Sequence, residues 1–145
     1  MNKAVDITLS TIHRGGVWTV VTLGIDGKDL ASDFLMKLQR DNVKLFKSMK
    51  TRFRTVANYD AYENRETFKS TSEKGIFEFK RPGLRVYAFY DEIEGSGKLI
   101  LCTNGGKKNT RKDQHCDIVR AGKIRKRYFN AKALPDTKIV IQEKL

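Results

Sequence analysis

A pair of lysines follows an apolar, strand-forming run, and this arrangement is suited to binding phosphate groups. The run spans residues 99–103, and Gly105-Gly106 separates it from Lys107 and Lys108. Glycine lets the backbone approach a ligand closely. Backbone N–H groups and two ammonium groups would form a cradle for an anion. The alternative interpretation is a solvated loop with no ligand.

Arg85 opens another β-branched and aromatic run, residues 84–92, and Glu78 lies in the run before it, residues 76–81. Pro82-Gly83 predicts a tight turn that folds the two runs together. The turn therefore predicts an ion pair between Arg85 and Glu78. The alternative is that the Arg85 guanidinium contacts a phosphate, which arginine can bind with two parallel hydrogen bonds. Glu78 would orient Arg85 or act as a base.

Other candidate residues lie near the same elements. Lys80 and Arg81 flank the same end of the predicted hairpin, where we expect them to contact a nucleic-acid backbone. His115 begins a helical segment, and an imidazole can serve as a general acid near neutral pH. A lone histidine at that place is also an ordinary surface residue. His, Cys, Asp and Glu show no metal-ligand spacing, so we expect no metal and no cofactor.

The net charge is +12, from 29 Lys and Arg against 17 Asp and Glu. Residues 103–132 contain ten basic and two acidic side chains. Such clustering indicates nucleic acid, an anionic membrane or an acidic protein as a partner, whereas evenly spread lysines would indicate a solubilising surface. No apolar run approaches the roughly 20 residues of a spanning helix, which disfavours a membrane. With no secretory signal and two unclustered cysteines, we expect a cytoplasmic protein.

Hydrophobic periodicity predicts the elements that position these residues. Strands are expected at 17–25, 76–81, 84–92 and 99–103, with further short strands possible at 5–9 and 138–145. A helical pattern covers 29–56 with a break at 40–42, and another helix is expected at 111–130. The fold class predicted is α+β, a small twisted antiparallel sheet with an N-terminal helix pair and a C-terminal helix. Residues 1–16 would be an extension, 17–132 the domain and 133–145 a tail.

Five segments in this order are similar to the RelE/ParE toxin superfamily, most closely to its HigB-like, phage-derived branch. The resemblance covers residues 17–130, and its motifs are Glu66-Thr-Phe-Lys69, Gly75-Ile-Phe-Glu78-Phe, Leu84-Arg85-Val-Tyr-Ala-Phe-Tyr, Gly106-Lys107-Lys108-Asn-Thr-Arg-Lys, and Asp117-Ile118 with Ala121. The chain departs from the family at Gly105-Gly106, where an aromatic residue often precedes the lysine pair.

The resemblance implies a toxin of a type II toxin–antitoxin system that cleaves messenger RNA on the ribosome without metal. It implies partners in ribosomal RNA and in a cognate antitoxin, which we expect to be a helix-turn-helix protein. The catalytic candidates are Arg85, Lys107, Lys108, Glu78 and His115. The RNA-binding candidates are Lys69, Lys80, Arg81, Arg111, Lys112, Arg125 and Arg127.

Two other functions stay open from the sequence. One is a non-catalytic poison of gyrase, as in ParE-like members of the superfamily. The other is a basic nucleic-acid-binding protein of a phage or mobile element, without toxicity. Breaks in messenger RNA would distinguish the first function from both alternatives.

Overall fold

A computed structural model of the chain describes residues 3–60, 62, 64–107 and 110–143. Within this part the chain forms one sheet of seven strands and three helices, and the strand order is β3-β4-β5-β6-β2-β1-β7. In chain order the elements are β1 (Asp6–Arg14), β2 (Thr19–Ile25), α1 (Leu30–Asp41), α2 (Val43–Ala57), β3 (Phe68–Ser70), β4 (Phe77–Arg81), β5 (Leu84–Ile93), β6 (Gly97–Lys107), α3 (Arg111–Lys132) and β7 (Lys138–Glu143).

The predicted small antiparallel sheet with an N-terminal helix pair is wrong, because the sheet is larger and mixed. Two strands precede the helix pair, β2 pairs in parallel with β6, and β1 pairs in parallel with β7. A parallel partner requires a long crossover, and the chain reaches β6 from β2 only after α1, α2 and the β3–β5 meander. The sequence signals of these strands are local, whereas this pairing joins distant parts of the chain.

Both ends of the chain contribute strands to the sheet. β1 lies within the segment predicted as an extension, and it pairs antiparallel with β2 along almost its whole length. β7 lies within the predicted tail and forms an edge of the sheet beside β1. The sheet is therefore built from residues 6–143 and not from the central segment alone.

The helix break and the start of the last helix agree with their predicted positions. The side chain of Asn42 accepts a hydrogen bond from the backbone N–H of Leu45, and the backbone N–H of Asn42 donates to Leu38. This residue therefore ends α1 and caps α2. At α3 the hydroxyl of Thr110 accepts a hydrogen bond from the backbone N–H of Asp113 and caps the helix, which begins at Arg111 as predicted.

Two apolar clusters form on the two faces of the sheet, so the fold has three layers. Val86 and Ala88 of β5 pack with α1 and α2, whereas Tyr87 and Phe89 pack with α3. This alternation is the period-2 pattern of a strand that is buried on both faces. We call the face of the sheet that packs against α1 and α2 the α1/α2 face, and the opposite face the α3 face. Among the described residues no helix is long and apolar enough to cross a membrane.

Candidate phosphate-binding site

Four of the residues predicted from the sequence meet in one polar pocket on the α3 face. The pocket has a volume of about 260 Å³ and lies between β3, β4, β5 and the first turns of α3. It is lined by Lys69, Ser70, Thr71, Ser72, Glu78, Lys80, Arg85, Gln114 and Ile118. Three cations, one carboxylate and several hydroxyl groups therefore share a space large enough for a phosphate group.

Strand register explains why these four side chains share a face. Lys69 of β3 pairs with Glu78 of β4, and Lys80 of β4 pairs with Arg85 of β5. Directly paired residues of antiparallel strands point to the same side of the sheet, and so do residues two positions apart in one strand. Glu78 and Lys80 are two positions apart in β4, so the side chains of both cross-strand pairs lie on the same face of the sheet.

Arg85 is held inside the protein by backbone carbonyl groups. It is 6% exposed, and its Nη1 donates to the carbonyl oxygens of Leu84 at 2.7 Å and Arg81 at 3.0 Å. Its Nε lies 3.9 Å from Oε1 of Glu78 and has no hydrogen-bond partner among the described residues. A buried polar group is costly to leave unpaired. The expected ion pair with Glu78 thus forms at long range and leaves hydrogen-bonding capacity on the guanidinium.

The ammonium group of Lys80 lies in a strongly positive environment. Burial lowers its pKa, and the nearby charges of Lys69 and Arg85 lower it further, against the opposing effect of Glu78 and Glu66. Its Nζ donates to the backbone carbonyl of Arg65 at 2.9 Å. Because three cations crowd together here, binding of an anion would relieve their mutual repulsion.

Tyr87 lies behind the pocket, and the sequence analysis did not single it out. It pairs directly with Glu78, its side chain is fully buried, and its hydroxyl has no hydrogen-bond partner among the described residues. Burial raises its pKa, and the charges of Glu78 and Asp117 act in the same direction. The signal in the sequence is its position two residues after Arg85, which places both side chains on one face.

The two glycines before the lysine pair serve packing between elements. A Cβ atom at Gly105 would collide with the ring of Phe34 in α1, and one at Gly106 would collide with the carboxylate of Asp117 in α3. Their hydrogen atoms let both helices approach β6 closely. The expected role, close approach of a ligand, is replaced by close approach of two helices. This also explains why an aromatic residue does not fit at Gly105.

The structure does not bring Lys107 together with Arg85. Lys107 pairs with Leu84, one residue before Arg85, and lines a groove with Phe34 and Leu38 on the α1/α2 face. Successive residues of a strand point to opposite faces. Lys107 is therefore exposed on the other side of the sheet, and Lys108 lies outside the described residues.

The remaining candidates near the pocket do not line it. Arg81 directly follows Lys80 in β4, so strand alternation places its side chain on the α1/α2 face, where it is half-buried. Arg111, Lys112 and His115 are exposed in the first two turns of α3. Gln114 and Ile118 are the residues of this helix that line the pocket.

The last two candidates lie further along α3 and have other partners. The guanidinium of Arg125 lies 5.0 Å from the ring centre of Phe129, and Arg125 also lies against Gly75. Arg127 forms an ion pair with Asp26 at 3.3 Å. Neither residue lines the polar pocket.

The polar pocket has the side chains for binding an anion and for moving a proton. Its cations can hold a phosphate, and Glu78 and Lys80 are a possible base and acid. Within the part of the chain that the structure describes, no three His, Cys, Asp or Glu residues are placed to hold a metal ion. Comparison of the chain with family models, with curated proteins and with solved structures finds no match.

Proposed function

We propose that the polar pocket binds a phosphodiester group of RNA and that the protein is a metal-independent endoribonuclease. The supporting observation is the buried guanidinium of Arg85, whose Nε has no hydrogen-bond partner among the described residues. Both of its carbonyl contacts use Nη1, which leaves the edge formed by Nε and Nη2. Arginine binds phosphate with two parallel hydrogen bonds from such an edge.

The proposed reaction is an attack of the ribose 2′-oxygen on the adjacent phosphorus. The 2′-hydroxyl loses its proton, the new P–O bond forms, and the bond to the 5′-oxygen breaks. The products are a 2′,3′-cyclic phosphate and a 5′-hydroxyl, and no oxidant or reductant is needed. Negative charge grows on the phosphorane oxygens in the transition state, where fixed cations stabilise it.

Each charged group of the pocket has a role in this reaction. Glu78 accepts the proton of the 2′-hydroxyl, and Arg85 with Lys69 holds the phosphorane oxygens. Lys80 protonates the departing 5′-oxygen, because its lowered pKa makes proton release easier than from an ordinary lysine. All four residues line the same pocket.

The resemblance to the HigB-like toxins supports a cellular role for this activity. We propose that the protein is the toxin of a type II toxin–antitoxin module and cleaves messenger RNA on the ribosome in the cytoplasm. The net charge of +12 would draw it to ribosomal RNA by release of counterions. A cognate antitoxin, expected to be a helix-turn-helix protein, would inhibit it by placing acidic side chains over the cationic pocket.

Primer extension on messenger RNA from cells that express the protein tests this proposal. We expect breaks with the wild type, and their loss in Arg85→Ala. The matched control is Arg40→Ala, because Arg40 is exposed at the end of α1 and its one ion pair among the described residues is with the neighbouring Asp41, at 3.3 Å. Circular dichroism would verify that both variants are folded.

Each of the other outcomes contradicts a particular part of the proposal. Breaks that persist in the folded Arg85→Ala variant would refute the assignment of the pocket. Growth arrest with a DNA-damage response and intact messenger RNA would favour a gyrase poison. Binding to nucleic acid with neither effect would favour a basic nucleic-acid-binding protein without toxicity.

A further inference from the structure

Helix α2 has a concentration of positive charge that the polar pocket does not use. Its fifteen residues include five cations and no acidic side chain. The cations are Lys44, Lys47, Lys50, Arg52 and Arg54. Like charges close together on one helix destabilise it, so this composition is unfavourable for folding unless a partner compensates it.

Four of these cations form a stripe along one side of α2. Lys44, Lys47, Lys50 and Arg54 are spaced by three, three and four residues, which places them on one side of a helix. We call them the α2 stripe. The opposite side of the helix is buried against the sheet by Phe46, Met49, Phe53 and Val56. Three stripe residues are exposed and Lys50 is half-buried.

The cations of the α2 stripe have no acidic partner in the part of the chain that the structure describes. Among the described residues none of the four forms an ion pair. Helix α3 differs, because its Arg120, Arg127 and Lys132 pair with Asp117, Asp26 and Asp91. Among the described residues Arg111, Lys112, Lys123, Arg125 and Lys126 of α3 are not ion-paired either, so the stripe differs from α3 in that none of its members is ion-paired.

His13 of β1 lies close enough to α2 for the cations of the stripe to affect its pKa. Burial lowers the pKa of His13 in β1, and the charges of Arg54 and Lys50 lower it further. Its neighbour on the other strand is Val20, which has no charge to oppose them. The imidazole of His13 is thus a natural reporter of any anion that binds to the stripe.

We propose that the α2 stripe is a second RNA-binding surface that docks on the phosphate backbone of double-helical RNA. Lys44 to Arg54 spans about 15 Å at roughly 1.5 Å per residue. This length covers several consecutive phosphates of one strand of a duplex, whose spacing along the helix axis is about 3.4 Å in B-form DNA and shorter in the A-form helix of RNA. The choice of RNA over DNA rests on the proposed function of the pocket.

The side chains around the stripe favour a phosphate backbone over a membrane or a protein. Ser48, Thr51 and Thr55 lie beside it, and both threonine hydroxyls donate to carbonyl groups of the helix. Val43 is the one large apolar side chain of α2 that is more than half exposed. A membrane-surface helix needs an exposed apolar face, and protein interfaces have an apolar centre.

The stripe and the polar pocket lie on different sides of the molecule. α2 packs on one face of the sheet, and the pocket opens between the sheet and α3 on the other face. One short single strand cannot reach both. The stripe would therefore hold a folded RNA segment while the pocket takes a separate, unpaired strand.

Fluorescence anisotropy with a duplex RNA of about 12 base pairs, titrated at several salt concentrations, tests this proposal. The stripe variant is Lys44→Gln/Lys47→Gln/Arg54→Gln. The control, Lys28→Gln/Lys74→Gln/Lys138→Gln, removes the same charge from exposed lysines of other segments. We expect the slope of log K against log [salt] to decrease in magnitude by about 2 to 3 in the stripe variant. The control should change it by less than half as much.

Further measurements distinguish failure of this proposal from failure of the proposed cleavage. An equal loss in both variants would overturn the proposal, as would tighter binding to duplex DNA of the same sequence. Stripe-dependent binding to phosphatidylserine vesicles or to a polyglutamate peptide, without duplex binding, would also overturn it. Binding must persist in Arg85→Ala, and the imidazole signals of His13 must shift on addition of duplex. Failure of the proposed cleavage would appear in primer extension alone, with duplex binding intact.

Discussion

The side chains of Glu78 and Arg85 meet diagonally across the β4–β5 hairpin, with Oε1 and Nε 3.9 Å apart and each residue 6% exposed. Neither is the direct cross-strand partner of the other, since Glu78 pairs with Tyr87 and Arg85 with Lys80. A buried ion pair of this length compensates only part of the cost of removing two charges from water. Its geometry suits a site that receives an additional anion better than one built for stability.

Removal of Glu78 alone should destabilise the protein more than removal of both charges. Glu78→Leu leaves Arg85 buried beside Lys69 and Lys80 without a carboxylate, which we expect to cost about 3 to 5 kcal/mol. Glu78→Leu/Arg85→Met removes both charges and should cost clearly less than the sum of the single changes. Urea unfolding of Glu78→Leu, Arg85→Met, the double variant and the wild type gives the coupling free energy. Additive effects would show that the two charges do not interact.

A methyl group added at Gly106 should displace the carboxylate of Asp117 and destabilise the fold. Gly106→Ala places a Cβ against the carboxylate of Asp117, and we expect a loss of about 1 to 3 kcal/mol in unfolding free energy. Asp117→Ala should relieve most of this loss in the double variant. Gly16→Ala is the control, because its Cβ would meet only the side chain of Asn58 at an ordinary contact distance of 3.5 Å. Equal effects at both glycines would contradict the close approach of α3.

His13 should make the stability of the fold depend on pH. Its folded-state pKa lies below the ordinary 6.5 because of burial and of the cations Arg54 and Lys50. Between the two pKa values the unfolded chain binds more protons than the folded one, so the unfolding free energy falls as pH decreases below about 6.5. The loss is complete below the folded-state pKa.

His13→Gln should therefore flatten the pH dependence below about 6.5, as measured by urea unfolding at a series of pH values. Lys50→Gln/Arg54→Gln should weaken the dependence without abolishing it, because burial is its largest cause. An NMR titration of the imidazole gives the folded-state pKa directly. A pKa at or above 6.5 would contradict this prediction.

Local signals in the sequence predicted the helix break at 40–42, the start of the last helix and the tight turn, whereas strand pairing depended on distant contacts. Asn42 and Thr110 cap helices through hydrogen bonds to residues three positions away, so the contacts that start both helices are local. Gly83 has a φ of 74°, as the predicted tight turn requires. The parallel pairing of β2 with β6 has no such local signal, because it joins residues about 80 positions apart along the chain.

The sequence predicts the members of the polar pocket where the alternation of side chains along a strand decides which face of the sheet a residue lies on. Glu78, Lys80 and Arg85 come together because the hairpin register is fixed by a two-residue turn. Lys107 and Arg85 were both catalytic candidates, which would require their side chains to lie on the same face of the sheet. It pairs with Leu84 instead, and one residue of register places it on the other face.

Two buried tyrosines should respond in opposite directions to the loss of their hydroxyl groups. The hydroxyl of Tyr87 has no partner among the described residues, whereas that of Tyr128 donates to Oδ2 of Asp91 at 2.6 Å. An unsatisfied buried group costs about 1 to 3 kcal/mol, and a hydrogen bond to a charged group contributes a similar amount. We expect Tyr87→Phe to raise the unfolding free energy by about 1 kcal/mol and Tyr128→Phe to lower it by about 1.5 kcal/mol. Both changes keep the ring and its packing, so thermal or urea unfolding isolates the hydroxyl. A destabilised Tyr87→Phe variant would mean that the hydroxyl has a partner in solution, such as a buried water beside Glu78.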